Sequence, residues 1–204
     1  LTNTTGDITF QGSLTAGTLG TAAQGYNVKL LGGGTVTNAA TFSNTGTLTI
    51  GDGVGDTTTF TGGVTATAPS SKSIAGTIRA TDNAINLGTS GVSVTDNATL
   101  GSGTGTITLG AATLADGKTL TLGEGGASPL SISSVSGTAG GAKSNLTINT
   151  TGAATVSGAV GTDIDTVTVT QSGGTTFQST VAADTVTLTN TTGDITFQGS
   201  LTAG

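Results

Sequence analysis

The sequence predicts an all-β solenoid, about 20 residues per coil with loop insertions. Three observations carry that expectation. The first is a repeated phrase. Residues 1–17 read LTNTTGDITFQGSLTAG, and residues 188–204 read the same letters. The repeat marks one unit of 187 residues, 1–187, followed at 188–204 by the start of the next identical unit, continuous with the same solenoid. The chain thus reads as a segment of a tandem array, and such arrays supply length, a mechanical or adhesive property.

The second observation is a shorter rhythm. In DITFQGSL, Ile8, Phe10, Gly12 and Leu14 alternate with Thr9, Gln11 and Ser13. Alternation with a period of two marks a strand with one buried face. The pattern of bulky, small and aliphatic residues at alternate positions recurs as Phe60-x-Gly62-x-Val64, Ile74-x-Gly76-x-Ile78, Val156-x-Gly158-x-Val160, Phe177-x-Ser179-x-Val181 and Phe197-x-Gly199-x-Leu201. The last three begin 21 and 20 residues apart. Between them lie TVTVT from Thr166 and TVTLT from Thr185, so each period is expected to hold two short strands. A unit that thin cannot bury its own core and must stack on its neighbours.

The third observation is composition. Thr is 49 of 204 residues and Gly 36, charged residues are 8%, aromatics 3%, and Cys, Met, Trp and His are absent. Disordered chains are rich in Pro and charge. Here Pro is 2, and Val, Ile and Leu recur in strand register. Thr and Val suit a pleated surface because their branched Cβ packs there, while Gly and Asn supply turns.

In order along the chain, Tyr26, Val28 and Leu30 alternate with Asn27 and Lys29, which sends Lys29 to solvent. Gly32-Gly33-Gly34 is a turn. Val36, Ala40 and Phe42 lead to Leu48 and Ile50, and Gly51–Asp56 is a loop. Ala66–Lys72, with Pro69 and two Ser, is expected to bulge from the stack. Ile85/Leu87, Val92/Val94, Ile107/Leu109 and Leu120/Leu122 mark further strands. Gly123–Pro129 and Gly137–Lys143 are further irregular loops, and the rhythm resumes at Leu146.

The charge balance excludes one partner class. Net charge is −6, and five Lys and Arg cannot neutralise a phosphate backbone, so no nucleic-acid partner is expected. Absence of Cys fits an exported protein, where stray thiols cross-link. No apolar run approaches the roughly 18 residues of a membrane span, so no membrane insertion is expected in this segment.

Candidate sites are few. With no His or Cys, base chemistry falls to carboxylates or Lys. Asp163 and Asp165, on either side of Ile164, are expected on one solvent face of a strand, with nothing basic or aromatic beside them in sequence. No catalytic residue and no enzyme activity are expected. Asp52 and Asp56 partly match the Gly- and Asp-rich repeat that holds calcium in parallel β-rolls. Such ions are shared between consecutive copies and this is a single one, so a plain turn with no cofactor is expected, with Asp52 and Asp56 the only calcium candidates. Thr-x-Thr rows (Thr35/Thr37, Thr47/Thr49, Thr106/Thr108, Thr119/Thr121, Thr166/Thr168, Thr187/Thr189) place hydroxyls outward. Flat Thr ranks occur on ice-binding solenoids, but the spacing along this chain is irregular, and Thr is expected simply as a polar strand former. Asn38, Asn44, Asn83, Asn97, Asn149 and Asn190 fall near strand ends, where Asn tolerates left-handed turns and can form amide ladders. Glycosylation triplets at Asn3, Asn97, Asn145, Asn149 and Asn190 follow from the abundance of Thr.

LTINTTGAATVSGAVG, VTVTQSGGTTFQSTVAADTVTLTNTTGDITFQGSLTAG and GTLTIGDG resemble the β-strand-repeat regions of very large bacterial surface proteins, autotransporter passengers and filamentous-haemagglutinin-like adhesins. The resemblance implies a right-handed parallel β-helix exported to the bacterial cell surface, and it brings no functional residue. The expected function is a structural repeat unit of an extracellular fibre, stalk or surface layer, with partners of its own kind, end to end along the axis. The alternative is an adhesin module that recognises a glycan or protein on a host or neighbouring cell through its lateral face or loops.

Overall fold

The computed structural model describes Leu1 and residues 5–204. Among the described residues there are twenty-four strands joined by turns and bends, and no helix. Asn3 and Thr4 of the first glycosylation triplet lie outside the described residues. The strands pair in parallel, and coils about 21 residues apart stack into a β-solenoid of about 9 turns.

Each turn supplies strand positions to three faces rather than the two strands that the sequence suggests. The first face runs through Asp7–Phe10, Asn27–Leu30, Thr47–Ile50, the first halves of Ser71–Ala80 and Val92–Gly101, Ala112–Leu114, Val135–Gly137, the bridging residue Val160, Val181–Ala183 and Leu201–Ala203. The second runs through Leu14–Ala16, Gly34–Val36, Thr57–Phe60, the second halves of the two ten-residue strands, Thr119–Leu122, Ser144–Asn149, Ile164–Ser172 and Thr185–Thr191. The third starts at the bridge between Gly20 and Thr41. It continues through Val64–Thr65, Ile85–Asn86, Ile107–Leu109, Leu130–Ile132, Ala154–Val156, Thr175–Phe177 and Ile195–Phe197.

The third strand position escapes the sequence because the recurring pattern spans a corner. Phe60 ends a second-face strand and Val64 begins a third-face strand, with Gly62 between them. Phe177, Ser179 and Val181 turn from the third face to the first in the same way. All the large residues point inward, so the alternation survives, but the backbone changes direction at the small residue. Ile74-Gly76-Ile78 is the exception. There the chain stays one strand, Ser71–Ala80, and bends at Gly76 with φ +69°.

Inward residues stack in columns. Val28, Leu48, Lys72, Val92, Ala112 and Val135 lie above one another on the first face. Each fully buried Leu or Ile contributes about 1.5–3 kcal/mol. Phe42 meets Phe60 edge to face at 6.1 Å, and Phe177 stacks on Phe197 at 5.1 Å with planes 6° apart. Buried Tyr26 donates to the carbonyl of Leu1 and accepts from the amide of Ala22.

Lys72 departs from the expected loop. It lies in a strand, is 2% exposed, and fills a core position between Leu48 and Val92. Its Nζ donates to Ser90 Oγ at 2.5 Å and to the carbonyl of Pro69 at 3.3 Å, and among the described residues it joins no salt bridge. Burial pushes its pKa below the ordinary 10.5. Between the lowered value and 10.5 the folded chain binds fewer protons than the unfolded one, so stability rises with pH across that window. Lys72→Met is expected to raise stability at neutral pH by about 1–2 kcal/mol and to flatten that rise. Thermal denaturation of both proteins at stepped pH measures it, and identical pH profiles would contradict the assignment.

Candidate functional surface

The second face carries a regular polar array. Its strands set Thr57, Thr77, Thr99, Thr121, Thr147, Thr168 and Thr187 in one continuous outward column. Along the chain these residues are 19 to 26 apart. The inequality is absorbed at the corners, so spacing that is irregular in sequence becomes one residue per coil, about 4.8 Å, in space. The expectation that irregular spacing would scatter the threonines is therefore corrected. A parallel column of Thr119, Asn145, Thr166 and Thr185 runs two residues to one side. A third column, on the other side, places Gln171 between Asn149 and Asn190.

This stack of amides is the nearest approach to the expected ladder, but among the described residues no Asn side chain hydrogen-bonds another. Asn side chains instead tie adjacent coils through the backbone. Buried Asn44 donates to the carbonyls of Tyr26 and Thr47, both at 3.1 Å. Asn27 and Asn97 accept the amides of Thr47 and Thr119. Of the other glycosylation triplets, Asn97 and Asn190 are exposed, and Asn145 and Asn149 are half-buried.

The edge between the first and second faces gathers the loops at 51–56, 115–118 and 138–143 and the register shift at 95–97 within the strand Val92–Gly101. Six of the eleven carboxylates, Asp52, Asp56, Asp96, Asp116, Asp163 and Asp184, stand along it. Four of the five basic residues act as clasps between coils. Lys29 pairs with Asp7 at 2.5 Å, Arg79 with Glu124 at 2.5 Å, Lys118 with Asp96 at 2.8 Å and Lys143 with Asp184 at 2.5 Å. The fifth is buried Lys72. Solvent screens partly exposed pairs of this kind, so each adds little to stability. Their partners are up to 45 residues apart in sequence and bridge one or two coils. Asp7 and Asp96 are held below the usual carboxylate range chiefly by hydrogen bonds from Lys29 and Lys118.

The calcium candidates occupy a self-contained loop. The Asp56 carboxylate accepts the amides of Asp52 and Gly53, both at 2.9 Å, and those amides lower its pKa. Asp52 is raised, first by its hydrogen bond to Asp56. One carboxylate thus braces the turn through its own backbone. Asp56→Ala is expected to cost about 1 kcal/mol and to speed hydrogen exchange at Asp52 and Gly53, with Asn restoring part of the loss. Unchanged exchange at both amides would contradict that bracing role. Among the described residues no group of three carboxylates converges as a metal site.

Asp163 and Asp165 are not the expected pair on one strand face. The strand begins at Ile164, and Asp163 sits before it in the left-handed region at φ +60°, following Thr162 at φ +53°. Its Oδ2 is buried without a hydrogen-bond partner among the described residues. The fold also brings a cation that the local sequence lacks. The Lys143 pKa is raised first by its hydrogen bond to Asp184 and further by Asp163 and Asp165. Beside this corner the first face narrows to the single bridge at Val160. There it forms an open depression of about 340 Å³ lined by Ser134, Ser136, Ala159, Thr180 and Ala182.

No family model matches the chain, and no curated protein or solved structure matches it.

Proposed function

We propose that the chain is a structural repeat unit of an extracellular bacterial surface fibre, stalk or surface layer, of the kind found in autotransporter passengers and filamentous-haemagglutinin-like adhesins. One observation carries the reading. The phrase of residues 1–17 recurs at 188–204, and its second copy folds as a further stretch of the same three faces. Such a chain gains length with each unit. Leu188 and Leu201 of the second copy continue the inward columns of Val169 and Val181, which supports contact of successive units end to end along the axis. Clasped charges and a hydroxyl-covered exterior suit a solvated rod. The test is surface exposure in the producing bacterium. Antibody against residues 1–187 labels intact cells, and protease added to intact cells removes the signal. Labelling only after permeabilisation overturns the reading.

A second reading, an adhesin module, is supported by the Thr columns. A flat hydroxyl array of seven coils offers repeated hydrogen bonds to a polyhydroxyl ligand such as a glycan. Glycan-array binding that Thr121→Lys and Thr147→Lys abolish, with the fold intact, would favour it over a purely structural role.

A further inference from the structure

The two copies of the repeated phrase do not lie on the same faces. In the first copy, Asp7–Phe10 pairs on the first face and Leu14–Ala16 on the second. In the second copy, Ile195–Phe197 pairs on the third face, above Thr175–Phe177, and Leu201–Ala203 on the first, above Val181–Ala183. The local structure is the same, a strand, a corner at Gly12 or Gly199, and a strand. Its position around the axis is shifted by one face.

The unit of 187 residues therefore spans eight full turns and two further faces. A following copy must continue from that position. Its Val28 and Leu30 stack over Ile195 and Phe197 on the third face, as they stack over Ile8 and Phe10 on the first face here.

We infer that successive units in the array are related by a screw, each turned by one face against the direction of chain winding, so that the fourth unit is the first to repeat the orientation of the first. This rests on the tandem-fibre reading for the existence of the array, and on register alone for the turn. At about 4.8 Å per coil the unit rises about 42 Å, and orientation recurs after about 125 Å.

The consequence is for what the fibre presents. The Thr columns of the second face and the loop-bearing acidic edge beside it each run for one unit and then move to another side. In the next unit the Thr columns continue over the first face, and in the one after that over the third. Any single side of the fibre shows each surface for one unit in three. A ligand or a neighbouring fibre that binds the Thr columns therefore finds them in three directions, and lateral contacts made through them build a three-way mesh rather than a flat ribbon.

Register is tested on the 204-residue chain itself, which has no native cysteine. Thr196 lies directly above Thr176 on the outside of the third face. Had the unit closed a whole number of turns, it would lie above Ala182, in the first-face column that its twin Thr9 heads. Spin labels at Thr176→Cys and Thr196→Cys are expected to show strong dipolar broadening, and labels at Ala182→Cys and Thr196→Cys to show none. The opposite pattern overturns the screw and leaves the fibre reading standing. Absence of broadening in both pairs means that the second copy is not stacked on the coil below, and overturns both. Strong broadening at Thr176 and Thr196 in a chain absent from the cell surface keeps the register and removes the fibre.

Discussion

Phe177→Asp is expected to open the C-terminal coils. Phe177 is fully buried, in register between Val156 below and Phe197 above, with its ring stacked on that of Phe197. Truncating a buried Phe costs about 3–5 kcal/mol through lost transfer energy and the cavity left behind. Burying a carboxylate there adds a desolvation cost, and the buried Lys72 stands several coils away on another face, too far to offset it. The total exceeds about 5 kcal/mol, in the range reserved for a charge buried without a partner. In a solenoid each coil is held mainly by its neighbours, so the damage is local. Amides of Ala154–Val156, Thr175–Phe177 and Ile195–Phe197 should lose protection from exchange, while those near Leu48 and Ile50 keep it. Phe197→Asp should cost less, because Phe197 is only half-buried in the last coil. Thr196→Asp, which faces out, should change stability by no more than about 0.5 kcal/mol. Equal tolerance of the three substitutions would mean that inside and outside are misassigned.

Gly76→Val is expected to be nearly as damaging, for a different reason. Gly76 turns one continuous strand from the first face to the second at φ +69°, a conformation that a β-branched residue rarely adopts. A Cβ there would lie 2.3 Å from the carbonyl oxygen of Asp56 and 2.7 Å from that of Gly53. Both contacts are backbone, so relief requires moving the loop at 51–56 off the corner. Strain and clash together should cost more than about 3 kcal/mol. Gly55→Val, in the same loop but with no atom within 4 Å, is the control and should be nearly silent. Urea midpoints of the two variants compare them, and similar midpoints would show that the bend tolerates a side chain.

These two positions also show where the sequence is legible and where it is not. The inward set of residues is readable because alternation does not depend on where the chain turns: Val28, Leu30, Ile85, Val167 and Phe177 are all buried as their spacing predicts. The corners are less readable. Phe60-x-Gly62-x-Val64 and Ile74-x-Gly76-x-Ile78 look alike, yet the first separates two strands and the second bends one. The difference lies in the backbone of the neighbouring coil, which at Gly76 includes the Asp56 loop. Lys72 misleads because a lysine after Pro and Ser reads as loop, while register places it in the core column above Leu48. The Thr column is invisible for a related reason. Corner loops of unequal length separate residues that the sheet then aligns, so Thr121 and Thr147 are 26 residues apart and adjacent in space. The clasp between Lys143 and Asp184 is set in the same way, by loop lengths and register together.

On the tandem-fibre reading, length grows by continuing one stack. Rod length against the number of units tests it most directly. Chains of one, two and four consecutive 187-residue units should form rods of constant cross-section that lengthen by about 42 Å per added unit in electron micrographs, as 4.8 Å per coil requires. Widening instead of lengthening, or a string of separate beads with variable spacing, would contradict it.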